Sequence, residues 1–562
     1  MNKAKCFWLL AMPLLTTGIL AGCNQAPIEK PIKEYEVGET VKEWKTNKDY
    51  AELPLEPMVK NSIGEIVKDF GNEDKVALKY TVKSGSSTQN YIGSDVLKKP
   101  YFQEGDVKNG DIVSLYFYVP KNSNVASLQL QLYPISMNSP IKGTSVTIGA
   151  DNEEQWIRTT ASFDTLETLG AIRLNYTLSN TANTGTFFID NISITYGAET
   201  VKTKYESKGE SLYKTYANYF KVGSCMSANM LNNTTLRRIA RDNFNSLTAE
   251  NEAKPEQILN KTGCQKLAKN GDESGVSITL KTMERLYDFC EAYHIGVRHH
   301  TFVWYSQVPA WFFNEGYEDN ASQVSKAVML KRMENFIKVT LQKVNNRWPG
   351  LVYAIDVANE AVDNHTIRSN NNNWYTVVGK DFVYYAFKYA RQYAQKDQKL
   401  FYNDYSFDYD TENCKYAVNT LLKKAISEKL IDGVGIQGHI KDDQTPVNVM
   451  NDAKMIFNKG LECQITELDI TTPGNATSNF KKQSKLYHDL IVETLKNNRD
   501  GKTNITAIVL WGITDNLSWR ARDQEKYPLL FNEDYSKKPA YYGFLDAIKD
   551  VYPETNDSSE SK

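Results

Sequence analysis

Val352-Tyr353-Ala354-Ile355-Asp356-Val357-Ala358-Asn359-Glu360 is apolar for most of a strand's length and then ends on an amide and a carboxylate. Cys463-Gln464-Ile465-Thr466-Glu467-Leu468-Asp469-Ile470 repeats the design further along the chain. Short apolar runs of this kind suit strands buried on both faces of a parallel sheet. Six more stand at 220–228, 244–252, 297–304, 400–405, 434–439 and 508–514. Between the runs, apolar residues fall three and four apart, as in Met283, Leu286, Phe289, Cys290 and Tyr293, or Phe382, Tyr385, Ala386, Tyr389 and Ala390. That spacing marks amphipathic helices. Eight strands alternating with helices predict an α/β fold, a (β/α)8 TIM barrel over 211–548. Polar groups collect at the ends of the runs: Glu250-Asn251, His300 with Trp304, Asn359-Glu360, Asn403-Asp404, Gln437 with His439, Glu467 with Asp469, and Trp511. Active sites of such barrels gather at the C-terminal ends of the strands.

Upstream the period changes to that of strands. Runs at 76–82, 112–119, 126–132, 144–148, 156–163, 171–176 and 187–194 are separated by Gly, Asn and Ser turns. Leu128, Leu130 and Leu132 alternate with Gln129 and Gln131, which predicts a half-buried antiparallel strand with its polar face outward. The barrel is therefore expected to follow an all-β jelly-roll sandwich over 46–200. Phe187-Phe188-Ile189-Asp190-Asn191-Ile192-Ser193-Ile194 resembles the last strand of jelly-roll carbohydrate-binding modules of the family 4, 9 and 22 kind. Tyr91, Tyr101, Phe102, Tyr116, Tyr118 and Tyr133 are candidate sugar-stacking aromatics, with core packing as the alternative for each. Trp156 is expected to be a core aromatic.

The N-terminus reads as an export signal. Lys3 and Lys5 precede an apolar stretch that closes on Leu20-Ala21-Gly22-Cys23. The ending resembles a bacterial lipobox, in which residues 1–22 are removed and Cys23 is lipidated. Residues 23–45 are polar and read as a tether, and 549–562 as a polar tail. Of seven cysteines, five remain beyond Cys6 and Cys23, none in a C-x-x-C pair, and buried thiols explain them best. The chain has 562 residues and a formal charge of −2, from 66 basic and 68 acidic side chains. Such a balance offers no basic face for nucleic acid.

Two carboxylates on opposite sides of a barrel mouth are the minimum equipment for cleaving a glycosidic bond, one to protonate the leaving oxygen and one to attack or activate water. Use of the pair as a metal site is disfavoured. The one close pair of histidines among the strand ends, His299 and His300, is adjacent on a strand and so points to opposite faces. No metal and no catalytic cofactor is expected, though the sandwich leaves room for a structural calcium.

From about 211 to 548 the sequence resembles glycoside hydrolase family 10. The resemblance rests on seven ordered stretches: 247–256, 300–307, 356–361, 402–405, 435–439, 465–470, and Trp511-Gly512-Ile513-Thr514-Asp515 with Trp519. It implies a retaining endo-1,4-β-xylanase with Glu360 as acid/base and Glu467 as nucleophile. Asn359 would bind the 2-hydroxyl of the attacked sugar, and His439, backed by Asp469, would hold Glu467. Gln437 and Asn403 would lie beside the acid/base. Glu250, Asn251, Lys254, His300, Trp304 and Gln307 would line the glycone side, Tyr405 would contact substrate, and Trp511 and Trp519 would roof the reacting sugar. Xylan and xylo-oligosaccharides are then the expected partners. The expectation is a monomer that engages the membrane through the lipid, at the cell envelope and outer surface. A β-glucan-cleaving relative and an inactive glycan-binding lipoprotein are the alternatives. Three positions depart from the family pattern: Ile355 for Trp, His299 for Gly, and Tyr305 for His.

Overall fold

The computed structural model describes residues 36–52, 55–57, 64–72, 75–83, 89–93, 107–136, 139–179, 184–201, 203–207, 209, 211–522 and 527–553. Cys23, the signal, most of the expected tether, Tyr101 and Phe102 lie outside them.

The N-terminal region is a sandwich of two antiparallel sheets. One runs Gly64–Lys68, Val76–Lys83, Thr184–Thr195, Ile112–Tyr118, Trp156–Ser162. The other runs Leu55–Pro57, Gln89–Gly93, Leu169–Leu178, Val125–Pro134, Ile141–Thr147. Leu128, Leu130 and Leu132 meet Val113, Leu115, Phe117, Phe187 and Ile189 in its core. Along Thr184–Thr195 the register shifts between Asp190 and Ser193, so the inward set changes from Phe187 and Ile189 to Ile192 and Ile194. That is the effect of an extra residue in a strand, and Asn191 takes φ +47° there.

All seven runs read from sequence are strands, and the structure adds others. Thr40–Trp44 pairs with Thr184–Thr195, so the expected tether ends sooner than residue 45: Trp44 is buried and fixes these residues to the sheet. The expected tail likewise begins later than 549, because Val551 is buried and the Tyr552 ring lies 4.8 Å from that of Tyr219. Gln131 points away from the core as expected but is buried, in a layer where the Arg173 guanidinium lies 3.7 Å over the Tyr133 ring. Trp156 is a surface aromatic instead of a core one. It stands outside the core cluster, half-buried beside Tyr118 at 5.5 Å and Phe70 at 5.7 Å. Asp190, a buried acid of the sandwich, accepts from the Tyr50 hydroxyl and from the amides of Asn72 and Asn191. Among the described residues, no three His, Cys, Asp or Glu side chains converge to hold a metal.

The remainder is the barrel. Its eight parallel strands are Lys221–Met226, Ser246–Ala249, Gly296–Trp304, Val352–Asn359, Lys399–Asp404, Gly433–Ile436, Glu462–Ile470 and Ile505–Leu510. Each pairs with the next in chain order, and the last closes on the first. Helices cover the outside. Lys281–Ala292 buries Met283, Leu286, Phe289 and Cys290, as their spacing predicts. All five described cysteines are buried free thiols. No helix among the described residues is long and apolar enough to cross a membrane.

Sandwich and barrel belong to one compact unit. The sandwich turn before Leu169 docks on the segment after the first barrel strand. Thr234 N donates to Leu166 O at 2.8 Å, Thr168 N to Asn232 O at 3.1 Å, and an Arg237 guanidinium nitrogen to Thr168 Oγ1 at 3.1 Å.

Inside the barrel, Arg298 forms a two-pronged pair with Asp356, and Asp356 also meets His300 Nδ1 at 2.9 Å; all three are buried. Burial works against the Asp356 charge, but Arg298 and His300 outweigh it and hold the carboxyl below its ordinary value. Replacing Asp356 by Asn strands the Arg298 charge, which should cost about 3–5 kcal/mol of stability at neutral pH. A depressed acid stabilises the fold above its unfolded pKa and loses that contribution as pH falls through the folded one. The urea midpoint of the wild type should therefore drop further on acidification than that of Asp356→Asn.

Candidate active site

The C-terminal ends of the strands open into a cleft of about 1480 Å³. Glu250, Asn251, Lys254, His300, Trp304, Glu360, Tyr405, Gln437, His439, Glu467, Trp511 and Trp519 all line it. Asn359, Asn403 and Asp469 lie buried beneath the wall, and Gln307 stands behind Lys254.

Glu360 directly follows the fourth strand, with φ at +52°, a left-handed backbone uncommon for a residue with a side chain. Its carboxyl is nearly buried. Oε1 accepts from Gln437 Nε2 at 3.0 Å and Asn359 Nδ2 at 3.2 Å, and Oε2 from Trp304 Nε1 at 2.9 Å. Glu467 lies on the seventh strand, where the register shifts between Ile465 and Leu468. Its Oε1 accepts from Asn403 Nδ2 at 2.8 Å, and its Oε2 lies 3.4 Å from His439 Nε2. His439 Nδ1 meets Asp469 Oδ2 at 3.0 Å, as the sequence led us to expect.

Asn403 differs from expectation. Its backbone carbonyl accepts the Glu360 amide at 2.8 Å, but its side chain turns to the other glutamate. Thr466 Oγ1 donates to Asn403 Oδ1 at 2.6 Å, which fixes the amide orientation. The two hydrogens on Nδ2 then go to Asn359 Oδ1 at 2.9 Å and to Glu467. Glu360, Asn359, Asn403 and Glu467 form one hydrogen-bonded line joining the two carboxyl groups.

The two environments push in opposite directions. Burial, with the nearby Glu467 charge adding to it, moves the Glu360 carboxyl above its ordinary value despite the bonds from Gln437 and Trp304. Burial would raise Glu467 as well, but the His439 bond, the electrostatic pull of His300 and His439, and the Asn403 amide hold it below the ordinary value. His439 is raised to about 10: burial opposes its charge, and Asp469 and Glu467 more than compensate.

At one side of the cleft, Lys254 Nζ donates to Asn251 Oδ1 at 3.0 Å and Gln307 Oε1 at 2.9 Å, and lies 4.9 Å over the Trp304 ring. Trp511 is nearly buried, 5.6 Å from the His300 ring, and so forms wall more than roof. Trp519, 47% exposed, overhangs the cleft and donates from Nε1 to Asp469 Oδ2 at 3.1 Å. Sequence reasoning missed Arg520, 3.2 Å from Asp469 Oδ1, and Asp408, which takes the Gly438 and His439 amides at 2.8 Å each. It also missed Arg368, which approaches the Glu360 backbone. Only their nearness in sequence to quoted motifs could have flagged them.

An acid biased toward protonation and a carboxylate held ionised, in one aromatic-walled cleft at the mouth of a (β/α)8 barrel, define the class: a two-carboxylate site of the kind that cleaves glycosidic bonds. Residues 211–547 match Glycosyl hydrolase family 10, and the chain belongs to that family. It is 38% identical over 341 residues to a bifunctional endo-1,4-β-xylanase of Ruminococcus flavefaciens, covering 59% of this chain and 33% of that protein. Endo-1,4-β-xylanase Y of Acetivibrio thermocellus is 29% identical over 479 residues, 81% of this chain and 43% of that one. The chain thus spans a third to under half of the length of these two curated relatives. Among solved structures, the CBM22-1–GH10 modules of a Clostridium thermocellum endo-1,4-β-D-xylanase in complex with xylohexaose superpose with a TM-score of 0.59 at 27% identity, covering 87% of this chain and 93% of that one. The intracellular xylanase of Thermoanaerobacterium saccharolyticum, bound to xylotriose, superposes at 0.54 with 28% identity, over 60% of this chain and 99% of that one. The sandwich preceding the barrel accordingly resembles a CBM22 module.

The asymmetry of the pair is directly measurable. In carbon-13 titrations of labelled glutamate, Glu360 should titrate above 4.5 and Glu467 below it. Glu467→Gln removes a charge that raises Glu360, so the Glu360 midpoint should move down in that variant.

Proposed function

We propose that the protein is a retaining endo-1,4-β-xylanase, and the observation that carries this reading is the opposite bias of Glu360 and Glu467 within one cleft. Glu360 enters protonated and gives its proton to the glycosidic oxygen while Glu467 attacks the anomeric carbon. Of the two Glu360 oxygens, Oε2 has the single donor and is the natural seat of that proton. Water then cleaves the glycosyl-enzyme, with Glu360 now acting as base. Asn359 binds the 2-hydroxyl of the attacked sugar, where contacts tighten toward the transition state. His439, oriented by Asp469, keeps Glu467 ionised. Glu250, Asn251, Lys254, His300 and Trp304 take the glycone, supported from behind by Gln307. Tyr405 serves the aglycone, and Trp511 and Trp519 enclose the reacting ring. The xylanase names of the relatives and the xylo-oligosaccharides in the related structures support xylan as substrate.

Xylose lacks the exocyclic hydroxymethyl group of glucose, and a wall rejects an added group more strongly than it detects a missing one. Trp519 at the rim supplies that wall. kcat/KM for aryl xylobiosides should therefore exceed that for aryl cellobiosides, with the ratio narrowing in Trp519→Ala. NMR of the first product should show the β-anomer; an α-product overturns the double displacement. Glu360→Ala should cut xylan turnover about 10²–10⁴-fold, the usual share of a general acid/base.

For location we propose a lipoprotein, tethered through Cys23 to the cell envelope and facing polysaccharide outside. The basic, apolar and small-residue succession up to Cys23 supports this reading. Cys23→Ser should release the protein from the membrane fraction or halt its processing, and unchanged fractionation rejects the anchor.

A further inference from the structure

Glu360 keeps an unfavourable backbone conformation, and the turn after it runs Ala361, Val362, Asp363 before reversing through a two-residue hairpin to Thr366–Ile367. Arg368 follows that hairpin and bonds three successive carbonyls of the turn. Its Nε donates to Glu360 O at 2.9 Å, its guanidinium to Val362 O at 3.2 Å, and its own backbone amide to Ala361 O at 2.8 Å. A further guanidinium hydrogen reaches the Tyr405 hydroxyl at 3.1 Å. The group lies 4.4 Å over the Tyr305 ring, its side chain is 11% exposed, and Asp363 is a loose counter-charge at 3.7 Å. With the Glu360 amide held by Asn403 O at 2.8 Å, both peptide units flanking the residue are pinned.

We infer that Arg368 is a positioning residue that fixes the backbone of Glu360 so that its carboxyl proton is aimed at the glycosidic oxygen. This rests on the reading of Glu360 as acid/base. Trp304, Gln437 and Asn359 orient the carboxyl itself, but they act on the end of a flexible side chain. Proton transfer needs donor and acceptor within about 2.6–3.2 Å, and a small rotation about the Glu360 backbone displaces the carboxyl by more than that tolerance. Arg368 opposes the rotation without touching substrate. A planar fork of donors is required to reach these carbonyls together with the Tyr405 hydroxyl, and an ammonium cannot replace it.

The test separates proton delivery from every other loss. A 2,4-dinitrophenyl β-xylobioside carries a leaving group that needs no proton, whereas the sugar released on cleavage of xylotetraose departs as an alcohol and needs one. In Arg368→Met, kcat/KM for xylotetraose should fall about 100-fold, within the range a general acid supplies, while that for the dinitrophenyl substrate changes by less than about threefold. Arg368→Lys keeps charge over Tyr305 but not the fork, and should show the same split; it decides the matter if the Met variant does not fold. A parallel fall on both substrates overturns the inference in favour of a general structural role. A rise in KM for xylotetraose with kcat intact overturns it in favour of aglycone binding, and full recovery in the Lys variant overturns the requirement for the fork. Glu360→Ala in the same assay is the reference. If it shows no split, the acid/base reading itself fails; if it splits and the Arg368 variants do not, only the role of Arg368 fails.

Discussion

A carboxylate taken out of water loses several kcal/mol of solvation unless charges or hydrogen bonds replace it. This barrel buries Glu360 and Glu467 in one cleft. Their mutual repulsion cannot be screened by solvent, so the low-energy arrangement keeps a proton on one. Which one is decided by the neighbours. Glu467 faces His439 and the Asn403 amide, both of which favour its charge. Glu360 accepts only neutral donors, from Trp304, Gln437 and Asn359. The line through Asn359 and Asn403 holds the two carboxyl groups in fixed relation, because every hydrogen on the Asn403 amide is committed.

Asp469 extends that constraint to the rim. Its carboxylate serves His439 from below and also receives the Trp519 indole and the Arg520 guanidinium. The charge that keeps His439 protonated is thus the charge that holds the overhanging tryptophan. Any movement of the rim that withdraws Trp519 and Arg520 leaves Asp469 to His439 alone and changes the field at Glu467. Trp519 at the rim and Glu467 within the cleft are one electrostatic unit, joined through Asp469 and His439.

Much of this was legible in the sequence because burial on both faces leaves strands with little freedom of composition. The eight runs are apolar where helices cover them and polar where the cleft begins, so both the barrel and its functional end could be read together. The sandwich was less legible at its margins. Thr40–Trp44 and Gly64–Lys68 are short and carry charged residues, as strands near a sheet's margin do, and they look like linker. Side-chain direction was the other limit. The fate of the Asn403 amide depends on Thr466, a residue from a different strand, and the alternation that would orient Glu467 is interrupted by a register shift. Trp156 misled for a similar reason: whether it enters the core depends on strand parity, set by its register partner Tyr118 on the neighbouring strand.

The departures from the family pattern show how the scaffold absorbs change without disturbing the pair. His299 points to the helix layer, where its Nδ1 meets the Tyr287 hydroxyl at 2.8 Å, and burial lowers its pKa to about 4, so it remains a neutral packing group. Ile355 is fully buried in the barrel shell. Tyr305 is the consequential one, since it lines the cleft. Its ring is covered by the same guanidinium that caps the Glu360 turn, so that face is unavailable for stacking on a sugar. The aromatic ring instead stabilises the cation, which is otherwise poorly compensated by Asp363. The tyrosine that departs from the family pattern thus contributes, through Arg368, to fixing the turn at Glu360.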